Sequence, residues 1–327
     1  MKLATRANGR PDGRLMVVSR DLHHAVEARA GETLQEALDN WDDAEPRLQA
    51  QYDALNDPIL PDTKPLDKAT LAAALPRSYQ FLDASAFLAH NHILADAWGF
   101  ARRSEADPPL MYQGLSDRFY PAHGNVPFRS ESDNIDFEAE YGVILDRTSL
   151  GASGAAALAH IRLLVVINDW SLRAFGPGEM RGGFGFLHAK PPSSMSAIAV
   201  TPDELGDAWH AGRVRLPLRV YRGDELFGRP DGAAMSYGFA DLVAHASATR
   251  DLCAGTVIGS GTVSNFDAAK VGSACIAERQ ALDTIAGRDP TPYLRFGERV
   301  RLRAGSGNYE SVFGDMDQQV VALDRTF

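Results

Sequence analysis

Short apolar segments rich in β-branched residues, with few long helical patterns between them, restrict the fold more than any other feature of this chain. "DFEAEYGVIL" (residues 136–145), "RLLVVIND" (162–169), "VRLPLRVYR" (214–222), "RVRLRA" (299–304) and "ESVFGDM" (310–316) all read as strands. Helical patterns fall at "DASAFLAHNHILADAW" (83–98), "GAAALAHI" (154–161) and "FADLVAHASA" (239–248). Such a mixture predicts an α+β, mostly β fold rather than a doubly wound parallel sheet. No glycine-rich loop opens a helix after a strand, so a dinucleotide or phosphate cradle is not expected.

At the N-terminus "KLATRA" and "GRLMVVS" flank the turn-rich "NGRPDG", which predicts a hairpin. Helical patterns follow at 34–41 and 45–55, and then three prolines in "LNDPILPDTKPLD" mark a linker. We therefore expect a small N-terminal α/β module over 1–70 and a larger catalytic domain over 71–327.

The chain has 327 residues, of which 45% are hydrophobic and 23% charged, enough apolar material for a large core. Its formal net charge of −10 argues against a nucleic-acid partner but not against a small anionic substrate, which needs only a few placed cations. No apolar run reaches the ~18 residues of a membrane span, and the first residues lack a signal-type apolar stretch. Two cysteines, Cys253 and Cys275, make neither a disulfide framework nor a zinc site. The expected location is cytoplasmic, with no membrane partner.

Within "DFEAEYGVIL", Glu138 and Glu140 stand two apart, so a strand would point both carboxylates to one face. A solvent-facing strand is the plain explanation of that alternation. A second acid shifts the balance: Asp169 ends the apolar run of "RLLVVIND", where a carboxylate is costly unless paired, hydrogen-bonded or on a metal. Oxygens from Glu138, Glu140 and Asp169 suit a hard divalent cation, Mg²⁺, Mn²⁺ or Ca²⁺. An N-cap or turn role for Asp169 before "WSLR" stays open on spacing alone.

The motifs "DFEAEYGVI", "INDWSLRAF", "FLHAKP" and "GSGTVSN", in this order, resemble the fumarylacetoacetate hydrolase family over about Tyr79 to Val320. Their spacing is most similar to the short bacterial branch of that family. The resemblance implies a mixed β-sandwich roll, a homodimer, and hydrolysis of a carbon–carbon bond in a small anionic diketo acid, with fumarylacetoacetate the leading expectation. It makes Glu138, Glu140 and Asp169 metal ligands, and adds Asp83 from an Asp-x₆-His pattern in "DASAFLAH" whose His90 is the water-activating base. A helical segment would put Asp83 and His90 on one face, roughly 10 Å apart along the axis.

By the same resemblance Glu278 orients His90, while Arg173 and Lys190 stabilise an oxyanion. Lys190 is also expected to protonate the leaving carbanion if burial and the metal lower its pKa. Tyr112 and Thr262 match substrate-contact positions, and Ser194 is expected as a hydroxyl near the metal. Two positions depart from the pattern: Ser85 stands where a substrate tyrosine is usual, and Gly176 where a glutamine is usual, with His188 a partial replacement for the latter. The glycine-rich residues 176–185 are expected as a mobile loop at the site mouth. His123 is expected in a covering loop, and His160 without an acidic partner. Acylpyruvate hydrolysis, oxaloacetate decarboxylation and keto-acid isomerisation would use the same metal site, and a non-catalytic metal-stabilised protein is the remote alternative.

Overall fold

The computed structural model describes residues 1–57, 64–305, 307 and 311–324. Its frame is an eleven-stranded sheet faced by a five-stranded one. The expected hairpin forms, Lys2–Arg6 against Arg14–Val18. The first of these strands also pairs with Ile198–Val200. Residues of the expected N-terminal module therefore extend the same sheet as the rest of the chain. From there the sheet runs through Ile161–Asn168, Ala139–Leu145, Val257–Gly259 and Phe81–Ser85 to an edge at Leu110–Gly114. Every pairing in that stretch is antiparallel except Val257–Gly259 with Phe81–Ser85.

Side chains alternate across a strand, so a sheet buried on both faces needs continuous apolar runs. Leu3, Val17, Ile144, Leu163 and Val165 pack on one face with Leu34, Leu38, Trp41, Leu48 and Tyr52 of the helices Leu34–Asp39 and Trp41–Leu55. Their neighbours Ala4, Val18, Val143, Leu164 and Val166 pack on the other, with Val126, Leu218, Val220, Val300, Leu302, Met316 and Val320 of the second sheet. That sheet is built from His123–Phe128, Leu218–Arg222, Glu225–Gly228, Arg299–Ala304 and Met316–Ala322. The α+β, mostly β architecture matches the expectation.

Several local expectations are corrected. The helix predicted over 83–98 is a strand, Phe81–Ser85, followed by a helix at Leu88–Trp98. Pairing on both sides of residues 81–85 overrides their helical pattern, so Asp83 and His90 share no helix face. "ESVFGDM" is not a strand: Ser311–Phe313 form a turn with Ser311 at φ 56°, pairing begins at Met316, and Glu310 lies outside the described residues. Of the linker, residues 58–63 lie outside the described residues, and Lys64–Pro65 pair with His24–Ala25. The glycine-rich stretch forms a helix, Gly176–Gly182, with Pro177 in its first turn. His123 lies on a strand, and His160 does have an acidic partner, its Nδ1 being 2.6 Å from Asp146 Oδ1. Among the described residues no helix is long and apolar enough to cross a membrane.

Candidate metal centre and the residues around it

Three adjacent strands build the centre. Gly259 is opposite Asp83 on one side and opposite Gly142 on the other, which brings Glu140, two residues from Gly142, to the same face. A Cβ at Gly259 would stand 2.3 Å from Asp83 Oδ1 and 2.8 Å from Glu140 Oε2, so both carboxylates lie over bare backbone. Asp169 follows the strand Ile161–Asn168 and precedes the short strand Ser171–Leu172, so it caps no helix there. One oxygen from each of Asp83, Glu140 and Asp169 lies within 4.8 Å of the others. All three residues are buried.

An uncompensated buried charge costs several kcal/mol, and here three carboxylates crowd together. Asp83 Oδ1 and Glu140 Oε1 are buried with no hydrogen-bond partner. An all-oxygen set with unspent acceptors fits a hard divalent cation. Burial, then the charge of Asp169, pushes Asp83 up to about 8. Burial and then Asp83 raise Glu140 well above the usual carboxylate range.

These shifts have a definite sign. Between the unfolded Asp value near 3.8 and the folded value of about 8, the folded chain keeps protons that the unfolded chain has lost. The contribution of these groups to metal-free stability therefore falls as pH rises through that window. A cation must displace the same protons, so its affinity rises across it. The gain in Tm on adding Mn²⁺ is expected to grow from pH 5 to pH 8 in thermal melts. A constant or shrinking gain would contradict the assignment.

Glu138, placed between the strands Ile135–Asp136 and Ala139–Leu145, adjoins this trio but its oxygens are engaged. Its Oε1 accepts from Ser171 Oγ at 2.7 Å and Lys190 Nζ at 2.8 Å, and its Oε2 accepts from the Thr262 hydroxyl. Burial opposes its charge, yet Lys190 and then Arg173 hold Glu138 well below the usual range. Asp169 accepts from Tyr112 OH at 2.8 Å, from Ser193 Oγ at 2.5 Å and from the Lys190 ammonium. Burial likewise opposes the charge on Lys190, but Asp169 and Glu138 outweigh it and raise this ammonium above its ordinary value.

Arg173 Nε donates to Asp136 Oδ2 at 2.9 Å. Its Nη2 lies 2.9 Å from Asp136 and 2.8 Å from Glu138, though neither contact is aligned as a hydrogen bond. His90 stands in the first turn of the helix Leu88–Trp98, with Nδ1 2.8 Å from Glu278 Oε2. Glu278 is fully buried in the first turn of the helix Ile276–Ile285. An ionised Glu278 requires Nδ1 to carry the proton, which leaves Nε2 as the basic atom.

The remaining expected residues are distributed less tightly. Ser85 is half-buried at its strand end, and His188 is exposed, its ring 5.8 Å from that of Phe175. Ser194 does not touch the carboxylates: its Oγ accepts from Trp170 Nε1 and Gln318 Nε2, both at 2.8 Å. The neighbouring Ser193 touches Asp169 instead. Sequence reasoning also missed Ser171 and the buried pair Asn168–Gln318. Asn168 Oδ1 accepts from the Glu138 amide at 3.2 Å, and its Nδ2 donates to Gln318 Oε1 at 3.3 Å. The continuous apolar run of residues 163–167 marks Asn168 as buried, and alternation with Met316 and Val320 puts Gln318 on the buried face of its strand.

Residues 81–321 match the model of the fumarylacetoacetate (FAA) hydrolase C-terminal domain, and residues 1–77 that of fumarylacetoacetase N-terminal domain 2. No curated protein sequence matches the chain. Among solved structures, maleylpyruvate hydrolase from Sphingobium sp. SYK-6, in complex with manganese (II) ion and pyruvate, superposes with TM-score 0.66 at 15% identity, covering 99% of this chain and 100% of that one. A probable 2-hydroxyhepta-2,4-diene-1,7-dioate isomerase from Mycobacterium abscessus gives 0.67 at 17% identity, with the same two coverages, 99% and 100%. The 5-carboxymethyl-2-hydroxymuconate delta-isomerase from Mycobacterium smegmatis gives 0.61 at 16% identity, again covering 99% and 100%. At these identities the likeness is one of fold.

Proposed function

The chain belongs to the fumarylacetoacetate hydrolase family, a family of hydrolases and isomerases, and from that premise we propose that it hydrolyses a carbon–carbon bond in a small 1,3-diketo acid. The observation that carries this reading is the His90–Glu278 pair, held in a chain that also gathers three buried carboxylates. Decarboxylation on the same centre needs no base that activates water. Hydrolysis does.

In this reading Asp83, Glu140 and Asp169 hold a divalent cation, with Glu138 at their side. Such a cation supplies Lewis acidity for the keto oxygens and for charge that develops during cleavage. His90 Nε2 takes the proton of the attacking water, while Glu278 fixes the ring and balances the imidazolium. Lys190, anchored on Glu138 and Asp169, presents positive charge where an oxyanion develops. Tyr112 and Thr262 spend their hydroxyl protons on Asp169 and Glu138, so they orient the carboxylates. The leaving half departs as an enolate and receives the proton that His90 Nε2 took from water, which gives a methyl ketone and returns the imidazole to its neutral form.

Fumarylacetoacetate and the acylpyruvates share the reacting diketone and differ in its flanks. The deciding experiment assays purified protein on fumarylacetoacetate, a series of acylpyruvates, oxaloacetate and a muconate-type isomerase substrate, with and without EDTA. Cleavage of at least one diketo acid is expected, abolished by chelator and restored by Mg²⁺, Mn²⁺ or Ca²⁺. Turnover of oxaloacetate or isomerisation alone would overturn the hydrolase reading.

A further inference from the structure

Asp136 opens the stretch that carries Glu138 and Glu140, and nothing in the proposed chemistry uses it. It is fully buried. Its Oδ1 accepts from the Ile276 amide at 2.7 Å, and its Oδ2 accepts from the Ala277 amide at 3.0 Å. These are the first two residues of the helix Ile276–Ile285, whose third is Glu278. The same Oδ2 accepts from Arg173 Nε at 2.9 Å. Arg173 in turn approaches Glu138 Oε1. On the backbone, Asp136 pairs with Ser171, whose hydroxyl donates to Glu138.

We propose that Asp136 is a positioning residue that holds the water-activating pair and Glu138, with its Arg173 partner, in one register. A carboxylate at the first turn satisfies amides that have no intrahelical partner and faces the positive end of the helix. Asp136 sets where that turn sits, and therefore where the Glu278 carboxylate meets His90. With its remaining acceptor capacity it holds Arg173 against Glu138. Two pieces of machinery 140 residues apart in sequence thus meet at one side chain. Charge neutralisation alone would be served by either half of this arrangement; the geometry uses both.

The test rests on the hydrolase reading for its kinetics but not for its spectroscopy. Asp136→Asn keeps the size and loses one acceptor oxygen. Its kcat is expected to fall about 100-fold, the scale of a misplaced catalytic group, with KM and Mn²⁺ Kd changed less than about threefold. Adding Glu278→Gln to Asp136→Asn should cost under about threefold more, far less than Glu278→Gln costs alone, because coupled residues are non-additive. The downfield Nδ1–H proton of His90, identified by its absence in His90→Gln, should shift or broaden away in Asp136→Asn. If Asp136→Asn does not fold, Ala277→Pro removes one of the two amides without altering a carboxylate, at a first-turn position that tolerates proline. The same resonance change and about a tenfold loss of kcat are expected there. An unchanged kcat, multiplicative losses in the double mutant, or an unmoved His90 resonance would each overturn the proposal. If no diketo acid is turned over by the unaltered protein, the hydrolase reading fails and the resonance alone decides the role of Asp136.

Discussion

Replacing His90 with alanine is expected to reduce kcat by roughly 10²–10⁴-fold, the usual contribution of a positioned base, and to leave Mn²⁺ affinity nearly unchanged. The two halves of this expectation have separate causes. The imidazole contacts Glu278 at 2.8 Å and is absent from the trio Asp83, Glu140 and Asp169, so its removal deletes a proton acceptor without deleting a ligand oxygen. The vacancy also leaves the buried Glu278 carboxylate without a side-chain partner among the described residues, so some loss of thermal stability accompanies the loss of rate. Steady-state kinetics and calorimetric titration with Mn²⁺ check the pair of statements. Retained turnover would remove His90 from the role of base. A lost metal affinity with a normal melting curve would place His90 among the ligands instead.

Gly259→Ala is the second large effect. The added methyl would meet Asp83 Oδ1 at 2.3 Å and Glu140 Oε2 at 2.8 Å, both far inside van der Waals contact. Neither carboxylate can retreat freely, because Gly259 is paired on both sides and the surrounding side chains are packed to interior density. Overpacking a core of this kind costs typically about 1–3 kcal/mol. The functional cost is larger, since the two displaced groups supply two of the three converging oxygens. Mn²⁺ binding is expected to weaken at least about 100-fold, as a shift of ~2.8 kcal/mol would give, and chelator-treated protein should regain little activity on metal addition. Alanine at Gly178, which has open space around it, serves as the control. Equal metal affinity in Gly259→Ala and the unaltered chain would show that the carboxylates do not need this cradle.

Much of the frame was legible from pattern alone. The hairpin at residues 2–18 follows from turn chemistry between apolar segments, and the continuous run in "RLLVVIND" from burial on both faces. The two acids of "DFEAEYGVIL" meet different partners. Glu140 turns to Asp83 and Asp169, whereas Glu138 is spent on Lys190, Ser171 and Thr262. Periodicity reports which face a residue takes and says nothing of which partner waits there. The apolar, alanine-rich "DASAFLAHNHILADAW" predicts a helix at Asp83, and cross-strand pairing on both sides overrules that local preference. Ser194 was one residue from the hydroxyl that reaches Asp169, a single step that reverses direction in an extended chain.

By itself, then, the sequence determined the class of fold, the buried strands and the residue types able to bind a hard cation and activate water. Those properties are local or nearly so, set by side-chain chemistry and by a period of two along a strand. Tertiary structure alone decided that Asp83, Glu140 and Asp169 converge, that Gly259 must lack a side chain between two of them, and that Asp136 joins the helix of Glu278 to Arg173. These relations link residues dozens to more than a hundred positions apart. They depend on strand order and register, which a single chain's pattern leaves open until the sheet is assembled.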